Sequence, residues 1–215
     1  MWCVPELNAE YIERMEDILE LYEQPVSEVE PVVCFDEKPV QLLKDVHPPR
    51  TGTDGIRKRD YEYARQGTAN IFVVIEPKAG RRFSFATRRR TANDFAKALK
   101  RIASKYPKAR KIRIVMDNLN VHCEKSLIKR FGEYEGRKLW KRFDVHYTPK
   151  HASWLNQAEI EISILTRSCL GSRRIADLSA LQSIVRQFSS AMNRSARPFN
   201  WDFTVDDARE LFDYK

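Results

Sequence analysis

The spacing of hydrophobic and polar residues changes several times along the chain, which predicts an α/β domain. Residues 6 to 23 carry apolar side chains at helical spacing among acidic residues, so we expect an acidic amphipathic helix that ends before Pro25. Residues 70 to 75 and 81 to 87 are β-branched and aromatic around a turn, which predicts a hairpin. Residues 39 to 59 hold adjacent prolines and two glycines, and we predict a loop or irregular connection there.

The second half of the chain continues the alternation of helices and strands. Residues 91 to 105 predict a helix with a basic exposed surface, formed by Lys97, Lys100, Arg101 and Lys105. Short strands are expected at residues 111 to 116 and 142 to 147, with a helix at 123 to 134 between them. Further helices are expected after Pro149, at 177 to 194, and after a capping-box start at Thr204. Together with the length of 215 residues, this pattern favours one α/β domain.

Charge and cysteine content narrow the class of protein. The chain has 38 Lys and Arg against 30 Asp and Glu, and the resulting net charge of +8 favours an anionic partner. The cysteines are far apart in sequence, so they suggest neither a zinc ribbon nor a disulfide framework, and they are Cys3, Cys34, Cys123 and Cys169. No segment approaches the roughly 18 apolar residues that span a bilayer. We therefore expect a cytoplasmic protein without a membrane partner.

Three acidic residues are candidate ligands for a divalent metal ion. Asp36 directly follows the apolar run V-V-C-F, and Asp117 directly follows I-R-I-V-M. Glu159 lies on the helix predicted after Pro149. Two carboxylates at adjacent strand ends and one on a helix can converge on Mg2+, which prefers hard oxygen ligands. Such ions activate water or a 3′ hydroxyl and stabilise the leaving oxygen, so the pattern points to cleavage of nucleic acid.

Each of these residues also has an ordinary structural explanation. Asp36 and Asp117 are of the type that ends strands, because Asp side chains bond nearby backbone amides. Asn156 and Glu159 have the spacing of a helix capping box. Glu161 is a rival to Glu159 on the same helix, about 200° away around its axis. Periodicity alone leaves the choice between the two glutamates open.

The blocks around these residues resemble the catalytic domain of bacterial insertion-sequence transposases in the mariner-related DDE superfamily. The similar blocks are V-V-C-F-D-E-K-P, Y-E-Y-A-R-Q-G-T-A-N-I-F, V-M-D-N-L-N-V-H and Y-T-P-K-H-A-S-W-L-N-Q-A-E-I-E. The resemblance implies a ribonuclease H-like fold, an α/β mixed sheet flanked by helices. In it Asp36, Asp117 and Glu159 would form the metal triad, with Glu159 following Asn156 in the N-x-x-E block and Glu161 in reserve.

The resemblance also implies an activity, a cofactor and partners. The activity is metal-dependent DNA strand cleavage and strand transfer in cut-and-paste transposition, with Mg2+ as cofactor, Mn2+ as a substitute, and a TA dinucleotide as target. The partners are transposon ends and target DNA, bound by a homo-oligomer in the bacterial nucleoid. Residues 1–28 would be an acidic linker helix and 29–215 the catalytic domain. The usual amino-terminal helix-turn-helix modules are absent, so they are encoded separately, lost or removed.

Several other residues are candidates for contacts with DNA. Lys150, His151 and Trp154 precede Glu159 and offer a cation, a hydrogen-bonding group and a stacking surface, although helix entry and packing also explain them. His122 either approaches the metal or a phosphate, or is structural. The arginines at 88 to 90 either hold a DNA backbone or form a solvated charge run.

Two other functions remain open at this point. An inactive remnant or non-catalytic basic module would bind DNA in a salt-sensitive way without cutting it. A ribonuclease H-like nuclease that only hydrolyses DNA would cut without forming strand-transfer products.

Overall fold

The computed structural model describes residues 7–214. Cys3 and the predicted helix start at residue 6 lie outside these described residues. The helices are α1 (Ala9–Glu23), α2 (Ala92–Lys105), α3 (Glu124–Phe131), α4 (Glu133–Trp140), α5 (Ala158–Ile164), α6 (Leu178–Ser195) and α7 (Val205–Phe212), with a 3-10 turn at Ser153–Leu155 and a π-helical turn at Leu165–Leu170. The strands are β1 (Val32–Asp45), β2 (Arg50–Thr51), β3 (Arg57–Lys58), β4 (Tyr63–Glu76), β5 (Arg81–Arg82), β6 (Phe85–Thr87), β7 (Ile112–Met116) and β8 (Phe143–Tyr147).

The main sheet combines antiparallel and parallel strands. Its order is β5-β4-β1-β7-β8, and β6 also pairs with β4. Strand β4 runs antiparallel to β1, β5 and β6, whereas β7 runs parallel to both β1 and β8. Strands β2 and β3 form a separate small ribbon. The predicted mixed sheet flanked by helices is therefore confirmed.

Helices cover both faces of the sheet because the side chains of each strand alternate between the faces. Val33 and Phe35 of β1 point to the face that packs against α2 and α3. Cys34 points to the other face, where α1 and α7 pack. Helices α5 and α6 pack on that second face against Ile71 and Val73 of β4. By the same alternation Asp36 lies on the second face, which α5 shares.

Most helices begin where the sequence predicts them. Thr91 and Asp94 form a capping box at the start of α2, and Thr204 and Asp207 form another at the start of α7, as expected. Asp177 caps α6. Helix α1 is amphipathic as predicted, and its buried residues include Met15 in the core shared with the sheet. The division of the chain after residue 28 stays a prediction.

Three local predictions are wrong. Residues 39 to 45 continue β1 and pair with β4, with one register shift between Gln41 and Leu43, although a loop or irregular connection was expected. Pro39 is compatible with this strand because β7 pairs only with residues 32 to 34 of β1, so Pro39 lies where no strand follows on that side. Asp36 therefore lies within a strand and does not end one. The helix expected at 123 to 134 exists as α3 but ends at Phe131, because Gly132 has a φ of 85°, and the unpredicted α4 begins at Glu133.

The helices within residues 7–214 are too short or too polar to traverse a bilayer.

Candidate active site

The pairing of β1 with β7 brings the two candidate aspartates together. Val32 pairs with Arg113 and Cys34 with Val115 in parallel register. Asp36 and Asp117 each lie two residues beyond the last of these pairs, so the two strands carry them towards the same end of the sheet. Asp117 is the first residue after β7. The expectation that neighbouring strands bring these two residues close is thus met by the backbone geometry.

Asn156 fixes the start of α5 against β1. Its Nδ2 donates to the carbonyl oxygen of Phe35 at 2.9 Å and to Oδ2 of Asp36 at 3.4 Å. Its Oδ1 accepts from the backbone N–H of Ala158 at 3.2 Å. The capping-box alternative for Glu159 is wrong, because Asn156 Oδ1 accepts from Ala158 and not from Glu159, and the backbone N–H of Asn156 donates to the carbonyl oxygen of Ser153. Asn156 is therefore occupied by β1 and carries α5 to the aspartates.

The pKa of Asp36 depends on its burial and on the charges of the other two candidate carboxylates. Burial, as the largest cause, and the negative charges of Glu159, Asp117 and Glu37 together raise the pKa of Asp36 to about 7. The backbone N–H of Glu37, 2.7 Å from Oδ1 of Asp36, acts in the opposite direction. Asp36 thus lies within the electric field of both other candidates. Such repulsion among carboxylates is what a bound divalent cation relieves.

His122 connects Asp117 to a further carboxylate that the sequence did not suggest. Its Nδ1 lies 2.6 Å from Oδ1 of Asp117, and its Nε2 lies 3.2 Å from Oε1 of Glu37. The ring is 2% exposed and stacks on Phe95 at a centroid distance of 4.6 Å. Burial lowers the pKa of His122, but the hydrogen bonds with Asp117 and Glu37 outweigh it and raise the pKa to about 9. The only sequence signal for Glu37 was its position directly after Asp36.

Glu161 faces away from these carboxylates. Its Oε2 lies 3.1 Å from Nε of Arg82, and both side chains are almost completely buried. Burial raises the pKa of Glu161, and Arg82 acts against this shift. Glu159, two positions earlier, is exposed. The two glutamates are about 200° apart around α5, so Glu159 lies on the side of the aspartates and Glu161 lies in the core.

The chemistry of the donor set fits a divalent metal ion. Asp36, Asp117 and Glu159 supply hard carboxylate oxygens. The pKa of Asp36 is raised mainly by burial and also by the charges of Glu159 and Asp117, which a cation would neutralise. Within residues 7–214, however, no three acidic, histidine or cysteine side chains are close enough to hold an ion as they stand. Binding thus requires side-chain rotation, and the 43% exposed side chain of Asp117 has room for it.

The candidate DNA-contacting residues divide into two groups. Lys150 and His151 line an open cleft of about 970 Å³ together with Asp117 and Arg14. Arg14 was not suggested by the sequence analysis. The ring of Trp154 instead packs edge-on against Phe203 at 5.7 Å and against Phe212 at 6.4 Å, which is a packing role.

The arginines at 88 to 90 are exposed. Arg90 lies 3.6 Å from Oε2 of Glu37, so the arginine run reaches the same acidic group as His122.

Comparison with solved structures identifies the fold. The chain is similar to Mos1 transposase in a paired-end complex with the left transposon end, with a TM-score of 0.57 and 14% identity over 89% of this chain and 58% of that chain. The Mos1 strand transfer complex gives a TM-score of 0.57 and 13% identity over 89% and 57%. The Mos1 mariner paired end complex with Mg gives 0.53 and 13% over 93% and 66%. These likenesses confirm the ribonuclease H-like fold.

The chain spans 58% of the length of the first of these structures. Comparison with curated proteins finds no match. The family model for DDE superfamily endonucleases, in contrast, matches residues 31–182, which is more than half of the sequence. That segment contains Asp36, Asp117 and Glu159. The chain therefore belongs to the DDE superfamily endonucleases.

Proposed function

We propose that this chain is the catalytic domain of a DNA transposase, which cleaves DNA at the ends of a mobile element and joins the freed 3′ end to target DNA. The parallel pairing of β1 with β7 carries this proposal, because Asp36 and Asp117 each follow the last pair by two residues. Membership of the DDE endonucleases and the fold shared with Mos1 transposase support it.

Asp36, Asp117 and Glu159 would hold Mg2+ or Mn2+ in this proposal. Structures of Mos1 with Mn and with Mg support the use of either ion. When bound, such ions activate a water or 3′ hydroxyl as nucleophile and stabilise the leaving oxygen. Glu159 is preferred to Glu161 because its charge acts on Asp36, whereas Glu161 pairs with Arg82 in the core.

The neighbouring residues would orient the ligands and the DNA. Asn156 and the backbone N–H of Glu37 orient the two oxygens of Asp36, and His122 orients one oxygen of Asp117; the remaining lone pairs of these carboxylates would bind an ion. Lys150, His151 and Arg14 would contact the DNA backbone along the open cleft next to Asp117. Trp154 would support this cleft from below through its packing.

The partners in this proposal are transposon ends and target DNA. The transposon-end complexes of Mos1 support DNA as the partner. We further propose that the chain acts as a homo-oligomer on DNA with a helix-turn-helix part encoded separately, in the bacterial cytoplasm at the nucleoid. Residues 1–28 would serve as the linker and 29–215 as the catalytic domain.

The test measures both chemical steps with a supercoiled plasmid and a labelled duplex that has a free 3′ hydroxyl end. With Mg2+ or Mn2+, the wild-type chain, joined to its recognition part if needed, should nick DNA and join the labelled end to the plasmid. Asp117→Asn and Glu159→Gln should abolish both products, whereas Glu135→Gln, at an exposed position of α4, should abolish neither.

Two results would contradict the proposal. Full metal-dependent cleavage by Asp117→Asn would remove Asp117 from the active site. Nicking without any joined product, under conditions in which the recognition part is present, would instead identify a purely hydrolytic nuclease.

A further inference from the structure

A second polar cleft lies at the free edge of the sheet, away from the candidate metal ligands. Strands β5 and β6 form this edge beside β4, and the cleft lies between α2, the edge and α6. Its volume is about 450 Å³. Arg101 and Lys105 reach it from α2, and Arg186 reaches it from α6. We call it the edge cleft.

The backbone of the edge strand is already occupied by side chains of α6. Asn193 accepts from the backbone N–H of Arg82 at 2.9 Å and donates to its carbonyl oxygen at 2.6 Å. Ser189 Oγ accepts from the backbone N–H of Ser84 at 3.2 Å. A further peptide strand therefore cannot add to the edge here. Any ligand of the edge cleft must instead bind to side chains.

The charge of the edge cleft selects an anion. Arg101, Lys105 and Arg186 are exposed, and none of the three forms an ion pair with a carboxylate of the described residues. The described residues that line the edge cleft include no Asp or Glu. The guanidinium of Arg101 lies 4.5 Å from the ring centroid of Phe85, which restricts its position. The three cations thus line one cleft that has no acidic side chain to neutralise their charge.

A buried hydroxyl gives independent support for a ligand. Ser84 lines the edge cleft and is only 8% exposed, yet its Oγ has no hydrogen-bond partner among residues 7–214. An unpaired buried hydroxyl costs free energy, and a ligand oxygen that displaces the side chains covering this Oγ would accept its proton. Ser189 is also buried, and its Oγ accepts from the backbone N–H of Ser84. The hydroxyl proton of Ser189 therefore points away from that N–H. Three cations and one unpaired hydroxyl form a site for phosphate oxygens.

We propose that the edge cleft binds backbone phosphates of DNA, as a contact separate from the candidate metal ligands. This proposal rests on the proposed function in one respect, namely that the phosphates belong to DNA. Asp36 pairs with Val73, and the register of β4 with its edge strand places Ser84 opposite Val73 on the other side. Ser84 and Asp36 are thus about 10 Å apart, two strand spacings. This distance runs through the buried sheet, where Val73 is fully covered, so DNA at the edge cleft makes a surface contact of its own.

The experiment measures binding of a fluorescent duplex of arbitrary sequence by anisotropy, over a range of salt and with EDTA present. The cleft variant carries R101Q, K105Q and R186Q, and the control variant carries K108Q, K129Q and K138Q, which are exposed elsewhere and change the charge equally. Each lost phosphate contact lowers the slope of log Kobs against log salt by about 0.9. The cleft variant should therefore lose roughly two to three units of slope, and the control variant none.

Ser84→Ala tests the buried hydroxyl without changing the charge. It should weaken duplex binding several-fold with an unchanged salt slope and no loss of thermal stability, because the wild-type Oγ has no partner to lose. Circular dichroism melting verifies that each variant is folded. If the cleft variant melts early, R186Q alone serves as the test, with an expected loss of about 0.9 in slope.

Three outcomes would overturn the proposal. Equal loss of slope in the cleft and control variants would indicate a general charge effect. An unchanged slope in both would mean that the cleft does not contact the duplex. Binding of inorganic phosphate that depends on Arg186, measured by calorimetry, without any effect on duplex binding would assign the cleft to a free anion.

Failure of this proposal is distinguishable from failure of the proposed function. Binding is measured without metal, so Asp117→Asn should bind the duplex as well as the wild type does. If Asp117→Asn still cuts DNA, the active site is wrongly assigned while the edge cleft result stands. If the cleft variant binds normally while Asp117→Asn is inactive, only the edge cleft is wrong.

Discussion

His122 Nδ1 lies 2.6 Å from Oδ1 of Asp117, and the imidazole is buried whereas the side chain of Asp117 is 43% exposed. Because the other ring nitrogen contacts Glu37 at 3.2 Å, the plane and rotation of the imidazole are fixed from both sides. Tyr147 donates to the carbonyl oxygen of His122 at 2.6 Å, which also holds the backbone in place. Asp117 follows the end of β7, where the strand no longer restrains it. His122 therefore supplies the restraint that the strand does not.

His122→Gln should weaken Mn2+ binding by about 10- to 100-fold, the usual effect of losing a partner that orients a metal ligand. The glutamine cannot contact Asp117 and Glu37 with the rigid geometry of the ring. Isothermal titration calorimetry of the folded variant gives the affinity. Metal affinity separates the two possible roles of His122. A loss of packing against Phe95 alone would lower the melting temperature but leave the affinity for Mn2+ unchanged.

His47→Gln is the matched control, since His47 is exposed with only a distant contact to Glu62 at 3.9 Å. It should bind Mn2+ like the wild type. Equal affinities of His122→Gln and His47→Gln would show that His122 does not position Asp117.

Glu161→Gln should lower the free energy of unfolding by roughly 3–5 kcal/mol, because it leaves the guanidinium of Arg82 buried without its counter-charge. Urea denaturation measures this loss. Replacing both residues, as in R82M with E161L, should recover most of the stability, since neither charge is then left unpaired.

Glu159→Gln is the counterpart on the same helix. Glu159 is exposed, so the substitution should change stability by no more than about 0.5 kcal/mol while abolishing DNA cleavage. If Glu161→Gln were as stable as the wild type, the buried pair would not contribute as described.

The sequence predicts those parts of the fold that depend on local pattern. Helices α2, α6 and α7 have a clear apolar period and a polar residue at the N-cap, and both features are short-range. The continuation of β1 beyond Asp36 could not be predicted in this way. Pro39 and the charged residues near it resemble a loop, and only pairing with β4 makes them a strand.

For the candidate site, too, the sequence predicts some residues and not others. Motif spacing was enough to select Asp36, Asp117 and Glu159 as candidates, but not to decide against Glu161. That decision depends on Arg82, which lies 79 positions before Glu161 and reaches it only through the packing of β5 under α5. The role of His122, which lies between β7 and α3, likewise depends on Glu37 of β1.

Helix α4 was not predicted because Gly132 and Gly136 interrupt a charged segment with few apolar residues. A Cβ atom at Gly136 would lie 2.6 Å from both the Cα and the backbone N of Ile128 in α3. The glycine thus permits the close approach of two helices, which no local pattern reveals. Its absence of a side chain is a tertiary requirement.

Gly136→Ala should therefore destabilise the protein by about 1–3 kcal/mol, as overpacking does. The gain in helix propensity of at most about 1 kcal/mol works against this cost, but the clash involves backbone atoms that cannot rotate away. Urea denaturation measures the difference. Glu135→Ala is the control at the adjacent exposed position and should change stability by less than about 0.5 kcal/mol. A more stable Gly136→Ala variant would contradict the close helix contact.

Asp36→Asn should stabilise the protein in EDTA, and increasingly so as the pH rises. Burial and the charges of Glu159 and Asp117 raise the pKa of Asp36 from 3.8 to about 7 in the folded state. The folded state then binds a proton that the unfolded state has lost, so the stability contributed by Asp36 is present below pH 4 and disappears as the pH rises through about 7. Asparagine carries no such penalty.

The melting temperature of Asp36→Asn should thus equal that of the wild type near pH 4 and exceed it by several degrees at pH 8, since about 1 kcal/mol corresponds to roughly 2–4 °C at this chain length. Asp202→Asn, at an exposed position, should show no such trend. Adding Mn2+ at pH 8 should reverse the order, because the metal stabilises only the chain that binds it. If the two curves coincide at every pH and with the metal, Asp36 is neither in the field of the other carboxylates nor a metal ligand.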